Sequence, residues 1–335
     1  MERVLSGLRP TGKIHLGHYF GVLTNFKKLQ EEFECYFFVA DIHALTTNYS
    51  KTKEIGNDVI QMLADWLAVG IDPDKATIFI QSAISEHAEL HTMLSMITPL
   101  GWLERVPSYK EKIDEEKETD LHTYGFLGYP VLMASDILIY KAHKVPIGAD
   151  QIPHLELTRE ISRRFNHLYK EIFPEPQPLL TISPKVPGLD NRKMSKSYDN
   201  SIYLSDPPDI VTDKILHHMV TDPQRIRRTD KGNPDVCPVY DLHKLLTPKD
   251  KLEYIDTGCR SADIGCIGCK KIVIEEINAL LAPIREKREQ LLQHPNLLKD
   301  IVEHGNNKAK TFASQTLKEV KEAIGLNYEF GPSRL

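Results

Sequence analysis

Apolar residues recur along the chain in two alternating modes, short unbroken runs and longer stretches at three- and four-residue spacing, and the alternation predicts a fold. A short apolar start at 4–6 leads into a loop at 7–13 that holds Pro10 and Gly12, and then into a helix-compatible stretch over 16–29. The unbroken run at 35–40 and the β-branched run at 77–80 suit strands buried on both faces. Between them Ile55, Val59, Met62, Leu63, Trp66 and Leu67 mark one side of a helix, with Gly70 as its stop signal. Strand alternates with helix, so the expected fold is α/β with a Rossmann-like parallel sheet.

Residues 86–140 read as mostly helical, 144–147 as a further short strand and 150–165 as another helix. Proline and glycine crowd 174–188, and beyond Leu204 the pattern is helical without a buried strand. The expected division falls near residue 200, with the sheet-bearing domain at 1–200 and a smaller all-helical C-terminal domain at 201–335. In the longest helical stretch, 272–293, Ile274, Ile277, Leu280, Leu281 and Ile284 form one stripe, and Lys287 and Arg288 lie beyond it.

A mass of 38.2 kDa agrees with two domains rather than one small core. Apolar residues at 41% and charged residues at 27% are near the average for globular chains, which excludes global disorder. The formal charge of -5 excludes a chain that coats nucleic acid all over, leaving a regional basic face as the way to contact RNA. No apolar run reaches the roughly 18 residues of a membrane span, and no charged-then-apolar leader opens the chain, so a cytoplasmic protein with no membrane contact is expected. Of the five cysteines, Cys237, Cys259, Cys266 and Cys269 cluster late in the chain, which reads as a metal site rather than a disulfide scaffold.

Two loops carry candidate chemistry. The segment Pro10-Thr11-Gly12-Lys13-Ile14-His15-Leu16-Gly17-His18 opens a helix directly after the first strand, the usual nucleotide position of a doubly wound sheet. Free backbone N–H groups and the positive helix end attract phosphate, Gly17 admits a ring close to the backbone, and two imidazoles can donate to phosphate oxygens. Spacing alone equally allows one packed and one surface histidine. The second loop, Asn191-Arg192-Lys193-Met194-Ser195-Lys196-Ser197, reads either as a solvated basic loop or as mobile lysines that close over a triphosphate and follow the leaving pyrophosphate.

Together, His15-Leu16-Gly17-His18 and Lys193-Met194-Ser195-Lys196-Ser197 resemble the two signatures of class I aminoacyl-tRNA synthetases. Within that class, Tyr129-Pro130-Val131-Leu132-Met133-Ala134-Ser135-Asp136, Val145-Pro146-Ile147-Gly148-Ala149-Asp150-Gln151 and His154-Leu155-Glu156-Leu157 are similar to the tryptophanyl enzymes, with the tyrosyl enzymes next. The resemblance implies an enzyme that activates tryptophan with ATP and Mg2+ and transfers it to tRNA(Trp), working as a homodimer. It implies an Asp136 carboxylate that accepts the indole N–H, apolar walls from Tyr129, Met133, Val145 and Ile147, and Gln151 near the ammonium or carboxylate. For ATP it implies Asp150 on the ribose, Gly17 and Met194 against adenine, Thr11, His15 and His18 at the phosphates, and Lys193 and Lys196 completing the cradle. Lys112 resembles a further phosphate-binding lysine, and a surface charge run explains it equally well. Positioning and charge stabilisation then carry the catalysis, because the substrate carboxylate is itself the nucleophile.

Only Cys266 and Cys269 form a Cys-x-x-Cys knuckle, and the other spacings do not match zinc ribbons. The segments around the four cysteines resemble those of a subset of tryptophanyl enzymes with a 4Fe-4S cluster in the helical domain. That resemblance makes the cluster the expected cofactor and zinc the runner-up, with Arg225, Arg227, Arg228, Lys270 and Lys271 as nearby charge for RNA phosphates.

Overall fold

The computed structural model describes residues 1–106, 120–180 and 185–328. Five strands, β1 (Arg3–Leu8), β2 (Glu34–Val39), β3 (Ala76–Ile80), β4 (Lys144–Ile147) and β5 (Gln177–Leu180), form one sheet in the order β3-β2-β1-β4-β5, with every pairing parallel. The chain builds outward from β1 to β3, then crosses back to place β4 on the other side of β1. That reversal is the switch point at which such sheets open a crevice beyond the carboxyl ends of the strands. β1 and β4 are in register at Val4 and Lys144 alone, so the two strands part toward that end.

The expected strands at 4–6, 35–40, 77–80 and 144–147 are present as β1 to β4. β5 lies instead in the proline-rich stretch read as loop. It is an edge strand, so Pro178 needs no ladder N–H on its open side, and the period-two signal is lost because the strand is short and half-exposed.

Helices cover both faces. α1 (Leu16–His18) runs through a π-helical turn (Tyr19–Leu23) into α2 (Thr24–Glu32). α3 (Asp41–Asn48) follows β2 and α4 (Ile55–Val69) leads to β3, its end fixed by Gly70 at φ 105°, a conformation other residues resist. Trp66 is fully buried and meets the Phe26 ring edge-on, which in turn stacks on Phe37 at 4.0 Å. α5 (Glu86–Ser95), α6 (Leu100–Leu103), α7 (Tyr124–Ile139) and α8 (Ile152–Leu168) complete this half.

The second half is helical: α9 (Pro208–Asp213), α10 (Pro238–Leu246), α11 (Lys249–Ser261), α12 (Cys266–Gln293) and α13 (Pro295–Ala323). α12 begins six residues before the predicted 272, because its first turns hold Gly268 and then Lys270 and Lys271, which interrupt an apolar stripe. Ile274, Ile277, Leu281 and Ile284 are buried as the stripe requires. Arg288 does not point to solvent. Its Nε lies 2.6 Å from the buried Asp65 of α4, and it also bonds Gln61.

The strands end before residue 200, but the core does not. One apolar cluster runs from Val4 to Val302, and α13 folds back so that Ala309, Ala313, Leu317 and Val320 pack with Leu5, Tyr36 and Phe79 of the sheet. Among the described residues no helix is long and apolar enough to cross a membrane.

Candidate active site

A cavity of about 510 Å3 opens at the switch point, within the range of small-molecule sites. Its floor is Leu5 to Leu8 of β1 with Arg9 just beyond, and Val145 to Ile147 of β4 with Gly148 just beyond; its walls come from α3, α7 and the start of α8. Gly7 lies in the floor because Phe38 fills the space where a Cβ would stand, 2.6 Å away. Tyr129, Met133, Asp136, Val145, Ile147, Asp150, Gln151 and Lys193 all line this one cavity. Gln151 Nε2 donates to Asp150 Oδ2 at 2.8 Å, and the Tyr129 hydroxyl meets His154 Nε2.

Asp136 is 1% exposed, yet its two oxygens are surrounded by donors. His43 Nε2 reaches Oδ2 at 2.9 Å, His87 Nδ1 reaches Oδ1 at 2.6 Å, and Gln81 Nε2 donates to both at 2.9 Å. Burial alone pushes this carboxyl up, but the hydrogen bonds from His43 and His87 outweigh it and hold it at about 2. His87 is fully buried, and its Nε2 meets the Tyr140 hydroxyl at 2.8 Å. A charged acceptor thus sits in the wall of an apolar cavity with its charge kept in place.

The second cluster sits beside the first. His15 caps α1: its Nδ1 accepts the His18 N–H at 3.3 Å, and His18 Nδ1 accepts the His15 N–H at 3.4 Å. With both Nδ1 atoms accepting, each ring carries its proton on Nε2 and can donate there. Burial, with the Lys196 and Lys193 charges adding to it, pushes His15 down to about 4; burial, then His15 and the same lysines, push His18 to about 3. Both are neutral at pH 7. Lys196 Nζ donates to the carbonyls of Thr11 at 2.8 Å and Gly12 at 3.0 Å, and burial pushes it down to about 8 against the pull of Asp58 and Asp65. Gly17 has the His15 ring and Met194 against it. Lys193 lines the cavity and acts on both histidines, so it joins the two clusters. Lys112 lies outside the described residues.

The four late cysteines converge in the helical half. Burial, followed by Cys237, Cys259 and Cys266, pushes the Cys269 thiol up to about 12, while Arg225 Nη1 lies 3.8 Å from Cys259 Sγ. Gly232 is needed there, because a Cβ would stand 2.5 Å from that sulfur. The expected metal spacing is not met: among the described residues no group of three or more His, Cys, Asp or Glu side chains, Cys237, Cys259, Cys266 and Cys269 included, is arranged to hold a metal ion. The charges expected to serve RNA are partly spent inside. Arg225 is 9% exposed and donates to the Ile264 and Arg228 carbonyls, Lys270 is 8% exposed and donates to Leu216 and Met219, and Arg228 holds the Ala262 and Asp263 carbonyls. These loops lack regular hydrogen bonding, so buried cations supply the missing donors.

The profile of the family described as "tRNA synthetases class I (W and Y)" matches residues 1–282. The chain belongs to that family. The synthetase is 50% identical over 331 residues to the tryptophan–tRNA ligase of Thermotoga maritima, covering 97% of this chain and 100% of that one. It is 45% identical to the tryptophan–tRNA ligase of Ralstonia nicotianae, with 98% of this chain and 99% of that one covered. Its fold matches the crystal structure of tryptophanyl-tRNA synthetase from Campylobacter jejuni complexed with ADP and tryptophan, with a TM-score of 0.89, 33% identity, and coverage of 96% and 99%. The family profile covers tryptophan and tyrosine enzymes alike; the full-length relatives separate them.

Sequence reasoning missed His43, Gln81 and His87, which form the cage around Asp136, and Arg9, which lines the cavity. Arg9 makes one long bond, 3.5 Å to the Thr47 hydroxyl, and pairs with no carboxylate among the described residues. The signal available was positional: Arg9, His43 and Gln81 each lie just past the carboxyl end of a strand, where doubly wound sheets place their ligands.

Proposed function

We propose that the cavity holds tryptophan with its indole N–H on Asp136 and its carboxylate toward Arg9, and that ATP lies across the two signature loops. The synthetase is a tryptophan–tRNA ligase, forming tryptophanyl-adenylate and pyrophosphate and then charging tRNA(Trp). The observation that carries the assignment of the amino-acid site is the ionised, buried Asp136 beside the apolar side chains of Met133, Ile137, Val145 and Ile147 in the cavity wall. Indole is a donor only, and an acceptor-only group matches it. Phenylalanine has no N–H to offer this carboxylate, which His43, His87 and Gln81 hold ready as an acceptor, and so forgoes that bond.

The reacting atoms need no protein nucleophile. Tyr129, Met133, Val145 and Ile147 hold the ring, and Gln151 with Asp150 faces the ammonium and the ribose. Arg9 lies just past β1 with no carboxylate partner among the described residues, and its charge suits a carboxylate about to attack the α-phosphate. Neutral His15 and His18 donate through Nε2, Thr11 and the α1 terminus add backbone donors, and adenine lies toward Gly17 and the backbone over the buried Met194. Lys193 and Lys196 follow the pyrophosphate, Lys196 exchanging its carbonyl partners for phosphate oxygens. Bound Mg2+ would neutralise charge on the phosphates. Pyrophosphate exchange with tryptophan and with tyrosine tests this reading; exchange with tyrosine alone, or with neither, would sink it.

The helical part beyond residue 200 is read as the anticodon-binding portion, and the enzyme as a cytoplasmic homodimer. For the cysteines a 4Fe-4S cluster is favoured over zinc. Only Cys266 and Cys269 form a knuckle and the other spacings do not match zinc ribbons, whereas a thiolate-only set suits iron and sulfide. As thiolates the four converging sulfurs would repel one another, which favours a cationic partner. Cys237, Cys259 of α11, and Cys266 and Cys269 of α12 would hold the cluster, whose part would be structural, since neither reaction step is a redox step. Anaerobically prepared protein is expected to be brown, with iron and sulfide in equal amounts; colourless protein with one zinc per chain rejects the cluster.

A further inference from the structure

The C-terminal helix α13 lines no part of the cavity, yet it packs against β3, α5 and α7, three of the elements that build the Asp136 cage. Gly305 lies flat on the edge strand β3: a Cβ there would stand 1.8 Å from the Ile78 carbonyl oxygen, so helix and strand backbones are in direct contact. Beside it, Asn306 Oδ1 accepts the Ile80 N–H at 3.0 Å, a group that β3, having no neighbour on that side, cannot satisfy in the sheet. The next residue is Gln81, fully buried, whose Nε2 holds both Asp136 oxygens and whose Oε1 accepts the His43 N–H at 3.2 Å. Further along the helix, Ser314 bonds Glu86 at 2.5 Å, one residue before His87, and Glu319 pairs with Lys141 at 2.7 Å, just past the end of α7.

We propose that Asn306 is a positioning residue for tryptophan recognition, fixing the Ile80 to Gln81 corner and through it the orientation of the Asp136 carboxylate. The inference rests on the reading of Asp136 as the indole acceptor and adds a determinant that lies on the last helix of the chain. Without the Asn306 acceptor the Ile80 N–H is left unpaired at a covered edge. The corner then shifts to find another partner, and Gln81 shifts with it. The effect belongs to the indole N–H and to no other part of either substrate.

The test compares kcat/KM for tryptophan with that for the benzothiophene analogue, which keeps the ring shape and lacks the N–H, using enzyme counted by active-site titration. Asn306→Ala is expected to lower kcat/KM for tryptophan about three- to ten-fold, the worth of one well-placed hydrogen bond. The analogue and the KM for ATP should stay within about two-fold. Asn306→Asp, which keeps the acceptor, is expected near wild type, and Lys308→Ala on the exposed face of the helix is the control. An equal fall for both substrates, or none, overturns the proposal, since a purely structural helix would weaken both alike. Asp136→Asn in the same assay separates the two failures. If it removes discrimination and Asn306→Ala does not, the acceptor stands and the positioning role is wrong; if Asp136→Asn leaves discrimination intact, the acceptor assignment fails and the proposal falls with it.

Discussion

Replacing Asp136 by asparagine keeps the shape of the side chain and removes its charge, and the surrounding donors make the consequence calculable. Three groups point at the carboxylate: His43 Nε2 at 2.9 Å, His87 Nδ1 at 2.6 Å and Gln81 Nε2 at 2.9 Å from both oxygens. An amide offers one oxygen and one NH2, so in either orientation a donor faces a donor on one side. Gln81 loses half of its shared bond, and one histidine must turn its tautomer or go unpaired. An unpaired buried donor costs about 1–3 kcal/mol, which is expected to appear as lost thermal stability. The indole N–H loses a charged acceptor, a bond worth about 1.5–3 kcal/mol, which corresponds to roughly 10- to 150-fold in kcat/KM for tryptophan. Pyrophosphate exchange at saturating ATP with tryptophan varied, and then the reverse, reads the two substrates separately. The loss should fall on the tryptophan side. An unchanged KM for tryptophan together with a raised KM for ATP would refute the reasoning, because it would place Asp136 on the nucleotide.

Three further outcomes are expected. Lys196 is held at about 8 by burial, and its charge is present below that value and lost above it; kcat/KM for ATP should therefore fall about ten-fold per unit as pH rises beyond 8, and Lys196→Arg should flatten the profile, while a wild-type profile level to pH 9.5 excludes Lys196 from the phosphate site. Arg9→Gln should weaken tryptophan about ten-fold or more, the worth of a charged hydrogen bond, and leave tryptamine, which lacks the carboxylate, unchanged; equal losses would show that Arg9 does not meet the carboxylate. Arg288→Met strands Asp65, which is 2% exposed, and should cost about 3 kcal/mol of unfolding free energy in urea titration; a change below 1 kcal/mol would mean that Asp65 protonates at little cost.

Local sequence determined the elements whose apolar pattern is complete within a few residues. The 35–40 and 77–80 runs became β2 and β3 because strands buried on both faces need no alternation, and the α4 stripe ended at Gly70 because only glycine accepts that φ without strain. The two signature loops were legible as well, since helix ends and phosphate cradles use short contiguous segments. Other features depend on partners far away in sequence and leave no local trace. β5 could be known as a strand only from its place at the sheet edge, where Pro178 is harmless. Nothing along α12 marks Arg288 as the partner of Asp65 until the helix is laid against α4. The Asp136 cage draws on residues 43, 81, 87 and 136, each at the end of a different element, and on Asn306 behind one of them. The sequence therefore determined most of the segments that become strands and helices, β5 excepted, and the two loops proposed to meet phosphate. Only the parallel stacking of those segments decided how one buried carboxylate is surrounded, because hydrogen-bond geometry in three dimensions has no period along the chain.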